Sequence, residues 1–316
     1  MNGSNWHLLQ TLNQWLEQGL SPWLATVIET YGSSPRPAGS LMMYHPDKGL
    51  VGSLSGGCIE EELIHQLAEN PEFVSCPQII RYGESPEQQA RLSLPCGGHL
   101  DVLLERISPA QQKTFQQLKD SLHQRQGIAR HINLSSGEIY LKHETACDDI
   151  QRTEAEIIHA IRPHDKLLLV GAGEVARCVA EIARQLEFEV TLCDYRDEFL
   201  QGWQVEDVAI ERCMPDDLIA TSFMDKHCAI VALAHDPRID DMAMLEAFNS
   251  KAFYIGAMGS VQTSEKRRER LLSLGINNHQ IKRLHAPIGM DIGSKTPYEI
   301  AISIISHLIS ERSKRN

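Results

Sequence analysis

Apolar positions along this chain change their period near its middle. In the C-terminal half, short unbroken apolar runs alternate with stretches that repeat about every 3.6 residues. Lys166-Leu167-Leu168-Leu169-Val170 predicts a buried strand that ends in Gly171-Ala172-Gly173. Val175, Ala176, Val179, Ile182, Ala183 and Leu186 then fall on one helical face. Val190 to Asp194 predicts a second strand, Val208 to Ile210 a short third, Cys228 to Ala234 a fully buried fourth and Ala252 to Ile255 another. Strands that alternate with helices imply a parallel sheet with helical crossovers. The last helix has a readable start, with Thr296 as N-cap, Pro297 in the first position and Glu299 completing a capping box. Ile300, Ile302, Ile304, Ile305 and Leu308 follow, and this helix is expected to pack on the sheet.

The N-terminal half reads differently. Leu8 to Leu16 predicts an amphipathic helix and Trp23 to Thr30 a strand. Three glycine-rich turns then interrupt the pattern: Gly32 to Gly39, Gly52 to Cys58, and Pro95 to Gly98. The second leads into a helix over Ile59 to Ala68, and the third into a strand over His99 to Glu105. A helix over Gln111 to Gln124 and a hairpin over Ala129 to His143, turning at Ser136-Gly137, complete this half. Gln151 to Pro163 reads as a linker. The expected class is α/β, with an N-terminal α/β domain at 1–160 and a C-terminal Rossmann-like doubly wound parallel sheet at 161–316.

Composition narrows the picture. With 316 residues, 42% hydrophobic and 23% charged, the chain can bury a core without a disulfide or metal staple. A net charge of −12 argues against nucleic acid, because phosphate neutralisation needs clustered cations. No apolar run approaches the ~18–20 residues of a membrane span, and Met1 to Gln14 lacks a basic-then-apolar pattern. A cytoplasmic protein without a membrane partner is expected. The eight cysteines form no C-x-x-C pair, so reduced and mostly buried thiols are expected. The basic run Lys266 to Arg270 reads as a solvated helix face rather than a partner site. No G-x-S-x-G, Walker A lysine or H-E-x-x-H pattern points to a hydrolase or kinase.

Four constellations carry chemistry. Gly171-x-Gly173-x-x-Ala176 sits between strand and helix, and Asp194 stands where a ribose-binding acid would follow. This predicts a Rossmann scaffold and leaves NAD(P) binding open, since Glu174 in the first helical turn competes with an anionic ligand. Ser55-Gly56-Gly57-Cys58 precedes a helix, so the Gly56 and Gly57 amides can converge on an anion. Cys58 is either a buried core thiol or, as thiolate, a nucleophile or transient soft-metal ligand. Cys96-Gly97-Gly98 repeats the theme, as if two loops approach one ligand. Pro35 and Pro37 stiffen a turn that presents Arg36, either to a phosphate or simply to solvent. His235 and Asp236 end the buried strand, where they either transfer protons or cap the next helix. Gly256 to Ser260 and His285 to Gly293 end neighbouring elements on that edge.

Taken together, Gly32 to Gly39, Gly52 to Glu60, Cys96-Gly97-Gly98, Gly171-Ala172-Gly173, Tyr254 to Ser260, and His285 to Gly293 with Thr296-Pro297 resemble the xanthine dehydrogenase accessory protein family, XdhC/CoxI. The resemblance spans both halves. It implies a protein that binds the molybdenum cofactor (molybdopterin), protects it during sulfuration and delivers it to a xanthine or aldehyde dehydrogenase-type molybdoenzyme. It further implies a cysteine desulfurase partner. A homodimer is expected, and an NAD(P)-dependent oxidoreductase using the C-terminal domain is the alternative. On the cofactor reading, Arg36 and the Gly56-Gly57 amides hold the phosphate, and Cys58 or Cys96 touches the molybdenum reversibly.

Overall fold

Why the N-terminal half buries a strand on both faces is clear from β1 (Trp23–Tyr31). Leu24 points to one side of its sheet, where it packs on Leu8, Leu9, Leu12 and Leu16 of α1 (Asn5–Glu17). Trp23, Ala25 and Val27 point to the other, against Ile59, Leu63 and Leu67 of α2 (Cys58–Glu69). The strand's period of two thus feeds two apolar helix stripes. The computed structural model describes residues 5–31, 36–69, 76–85, 87–88, 99–143 and 149–315. It divides into two compact units, 1–163 and 164–316.

In the first unit β1 lies between β2 (Leu41–His45) and β5 (His99–Arg106), with β3 (Gly49–Gly52) and β4 (Gln78–Tyr82) at the edges. Every pairing in this five-stranded sheet is antiparallel. After α3 (Gln112–His123) comes a second antiparallel sheet. The expected hairpin forms from β6 (Ile128–Asn133) and β7 (Ile139–His143). The sheet is completed by β8 (Ile150–Arg152) and β9 (Glu156–Ile161), in the order β7-β6-β9-β8. Gln151 to Pro163 is therefore not a linker. Ile157, His159, Ala160 and Ile161 are buried in β9, and its register along β6 runs from Asn133↔Glu156 to Ile128↔Ile161.

The second unit is a six-stranded parallel sheet, ordered β12-β11-β10-β13-β14-β15. Its strands are β10 (Lys166–Val170), β11 (Glu189–Cys193), β12 (Ala209–Glu211), β13 (Cys228–Ala232), β14 (Tyr254–Ala257) and β15 (Leu284–His285). The order reverses between β10 and β13, which makes this a Rossmann-like sheet with a switch point beside the Gly171 turn. Leu167 and Leu169 pack on one face with α4 (Glu174–Gln185), and Leu168 and Val170 on the other with α5 (Pro215–Ser222) and α6 (Pro237–Ala247). Next along the chain is α7 (Val261–Ser273). The last helix, α8 (Pro297–Ser313), joins the α4 face through Ala301, Ile304, Ile305 and Leu308. Its capping box forms as the sequence predicts, with Thr296 Oγ1 accepting from the Glu299 amide and Glu299 accepting from the Thr296 amide. Among the described residues no helix is long and apolar enough to cross a membrane.

The basic run on α7 is a solvated face only in part: Lys266 and Glu269 are exposed, but the arginines are engaged. Arg267 is buried and donates to Asp240, Asp241 and the Met258 carbonyl. Arg268 donates to the Leu284 and Ala286 carbonyls, and Arg270 to Asp241. Arg267 and Arg270 turn inward because α6 supplies two adjacent aspartates. Of the described cysteines, Cys178, Cys193 and Cys228 are buried, Cys213 is half-buried, and Cys58 and Cys76 are exposed.

Candidate functional site

The second glycine turn closes on a residue that its glycines and cysteine do not announce. Glu60, in the first turn of α2, folds its carboxylate back over residues 53–57. Its Oε1 accepts from the amides of Leu54, Ser55 and Gly56 at 2.8, 2.8 and 3.0 Å and from the Ser53 hydroxyl at 2.7 Å. Its Oε2 accepts from the Gly57 amide at 2.9 Å and the Ser55 hydroxyl at 2.5 Å. Burial opposes the charge, but the Ser55 and Ser53 hydroxyls and the Ser55 amide outweigh it and hold the carboxyl far below its usual range. The anion in this nest is the chain's own. Gly56 and Gly57 adopt positive φ, and a Cβ at either would meet no protein atom within 4 Å. Their outer side is open, and Cys58 next to them is exposed at the start of α2.

The first turn is held at its far end. The Asn5 side chain donates to the Gly39 carbonyl at 3.0 Å and accepts from the Leu41 amide at 3.1 Å. His159 lies against Gly39; burial and the charge of Arg130 push its imidazole down to about 3, so it is neutral. Arg36 is half-buried just before this anchor. Ser33, Ser34 and Pro35, like Cys96, Gly97 and Gly98, lie outside the described residues.

The C-terminal constellation collects at the carboxyl edge of β10, β11 and β13. Gly171 has a φ of 100°, and a Cβ there would sit 2.4 Å from the Ala234 Cα, so this glycine serves the approach of two strand ends. Gly173 is the N-cap of α4 and nearly unobstructed. Asp194 is buried and already engaged: it accepts from the Ala172 amide at 2.9 Å and from Arg196 Nε and Nη2 at 2.9 and 2.8 Å. Burial opposes its charge, but these donors hold it below the usual carboxylate range. Glu174 stands in the first turn of α4, paired with Arg177 at 2.6 Å.

Asp236 caps α6. It accepts from the Arg238 amide at 2.9 Å and from the Arg238 guanidinium at 2.7 Å, which lowers it to about 2. His235, just before it, is exposed with a left-handed φ of 58°. Ser260 likewise caps α7, and Gly256 packs beneath Ile288. The structure thus brings Gly171, Gly173, Asp194, His235 and Asp236 to one sheet edge. Two residues missed in sequence shape these sites: Glu60 and Arg196. Glu60 was findable, since Gly57-x-x-Glu60 has the spacing at which an N3 glutamate reaches back to an N-cap amide.

Comparison with known proteins covers both units. A profile described as the XdhC and CoxI family matches residues 15–82, and one described as the XdhC Rossmann domain matches residues 167–308. The chain is 26% identical to a probable xanthine dehydrogenase subunit of Bacillus subtilis (strain 168), over 98% of each chain. It is 24% identical to the molybdenum cofactor insertion chaperone PaoD of Escherichia coli (strain K12), over 94% of this chain and 85% of that one. A crystal structure described as a xanthine dehydrogenase from Bacillus halodurans shares the fold, with a TM-score of 0.78 and 24% identity over 99% of this chain and 97% of that one.

Proposed function

The chain belongs to the XdhC and CoxI family, and from that premise we propose that it carries the molybdenum cofactor and inserts it into a xanthine dehydrogenase-type enzyme. The observation that carries the reading is the near end-to-end match to a protein named as a molybdenum cofactor insertion chaperone. The cofactor is cargo here, not a resident group. It combines a phosphate, a reduced pterin and a metal held by sulfur, so a carrier needs an anion contact, a soft donor that can let go, and cover.

The donor set fits those needs in part. Cys58 offers an exposed sulfur beside an open glycine turn, and Arg36 offers a guanidinium. Cys96, Gly97 and Gly98 are proposed to complete the contact. The amides of Gly56 and Gly57 already serve Glu60, so a cargo phosphate must displace that carboxylate or bind the outer side of the turn. A role in sulfuration, a cysteine desulfurase as sulfur donor, a homodimeric carrier and a cytoplasmic setting belong to the same proposal.

The NAD(P) oxidoreductase reading draws only on the sheet order and its glycine turn. Arg196 occupies the acid that would hold a ribose, and Glu174 stands where phosphates would sit, so no observation favours it. The deciding experiment loads the purified chain with molybdenum cofactor and mixes it with the apo-molybdoenzyme. Molybdenum and oxidised-pterin fluorescence should co-elute with the carrier, then move to the enzyme as activity appears. A chain that retains neither is not a carrier.

A further inference from the structure

Two imidazoles and a carboxylate meet where β15 faces α8. His285 ends β15, while His307 and Glu311 lie one turn apart on the same face of α8. Each offers one ligand-capable atom, and these atoms all lie within 4.8 Å of one another. The two imidazoles meet edge to face at 4.5 Å between centroids, and His307 Nε2 is 3.7 Å from Glu311 Oε1. The cargo reading uses none of the three.

The surroundings suit an ion. His307 and Glu311 are only 18% and 20% exposed, so the cluster is sheltered yet reachable. His307 Nδ1 lies 3.0 Å from the hydroxyl of the buried Tyr254, whose ring also stacks on His285 at 4.6 Å. With Nδ1–H donating to that hydroxyl oxygen, Nε2 turns its lone pair toward Glu311. Metal-bound histidines are characteristically oriented in this way by a partner on the other ring nitrogen. A tetrahedral ion with ligand bonds of ~2.0–2.1 Å draws its ligand atoms to about 3.3 Å from one another, so closure asks for small side-chain rotations. Lys314 Nζ now sits 2.5 Å from Glu311 Oε1, and its side chain is 64% exposed, free to give way to a dication.

We propose that His285, His307 and Glu311 bind one divalent cation of the zinc type, with a fourth position open to water. Two imidazoles and one carboxylate without sulfur select a borderline ion over magnesium or calcium. The ion ties the two-residue edge strand β15 to the C-terminal helix, and this role stands apart from cargo binding.

The test uses the full chain, stripped with a chelator and titrated with Co2+ as an optical probe. One Co2+ per chain should bind, with visible ligand-field bands, no thiolate charge-transfer band, and displacement by Zn2+. His285→Gln and His307→Gln should each weaken binding by about tenfold or more, with circular dichroism confirming that the variants fold. Glu311→Gln, at a helix position that needs no repacking, should weaken it as well. No Co2+ uptake by the parent chain overturns the proposal. So does a thiolate band, which assigns the ion to a cysteine, or a titration unchanged in both histidine variants.

Discussion

Glu60 accepts the backbone amide of Gly57 at 2.9 Å, so the helix that begins at Cys58 supplies the anion for the turn that precedes it. Without that carboxylate three amides and two hydroxyls would lose their acceptor, and the Gly56 amide would keep only the Ser53 hydroxyl at 3.2 Å.

Glu60→Gln keeps one acceptor oxygen and should destabilise the first unit by about 1–2 kcal/mol, the cost of leaving part-buried donors such as the Gly57 amide without an acceptor. Urea denaturation measures it. The pH dependence has a definite sign. A carboxyl whose folded value is depressed contributes stability that is full above its unfolded value of 4.5 and is lost as pH falls toward the folded one. The gap between parent and variant should narrow below that value.

Cys58→Ser separates cargo contact from packing. The thiol is exposed, so the substitution should change stability by less than about 0.5 kcal/mol. Retention of molybdenum by the cofactor-loaded chain should nonetheless fall, as measured by elemental analysis after gel filtration. Equal retention removes Cys58 from the proposed contact set.

Arg267→Met tests the inward-facing part of the basic run. Asp240 is fully buried, and burial raises its carboxyl to about 6 against the pull of Arg267. An acid whose folded value is raised keeps its proton longer than the unfolded chain does, so its contribution declines as pH rises through that window. Removing the cation leaves Asp240 without its charge partner, and a loss of about 3–5 kcal/mol is expected. The loss should be greatest near neutral pH and smaller when the acid is protonated, as thermal unfolding across pH would show.

Much of the second unit is legible in sequence, because a buried parallel strand writes itself as an unbroken apolar run. Leu167 to Val170 and Cys228 to Ala232 are of this kind, and Thr296, Pro297 and Glu299 state the start of α8 outright. The first unit is harder. Antiparallel pairing joins residues far apart, and the polar Arg152-Thr153-Glu154 hides the turn between β8 and β9. At the sites, sequence shows which residues have the right chemistry but not which partner already holds them. Asp194 looks free until Arg196 is seen on it, and Arg267 and Arg270 look solvated until Asp240 and Asp241 are placed opposite. The helical pair His307 and Glu311 is readable from its spacing, whereas His285 joins it only through the pairing of β15 with β14.

The two glycines of the Rossmann turn should part company under substitution. Gly171 combines a left-handed backbone with Ala234 atoms 2.4 to 2.7 Å from any added Cβ, all of them backbone or Cβ atoms that cannot swing away. Gly171→Ala should cost about 3 kcal/mol or more, from overpacking and backbone strain together. Gly173 has a φ of −84° and its nearest obstacle is the Leu233 carbonyl oxygen at 4.0 Å. Gly173→Ala should cost only about 0.5–1 kcal/mol, the difference between glycine and alanine at an N-cap. Gly173 is therefore the position at which nucleotide binding can be tested without unfolding the sheet. Calorimetric titration with NADH should give the same heats for parent and Gly173→Ala, both at the level of dilution. Saturable heat in the parent that the alanine removes would return the NAD(P) reading to the Gly171–Gly173 turn.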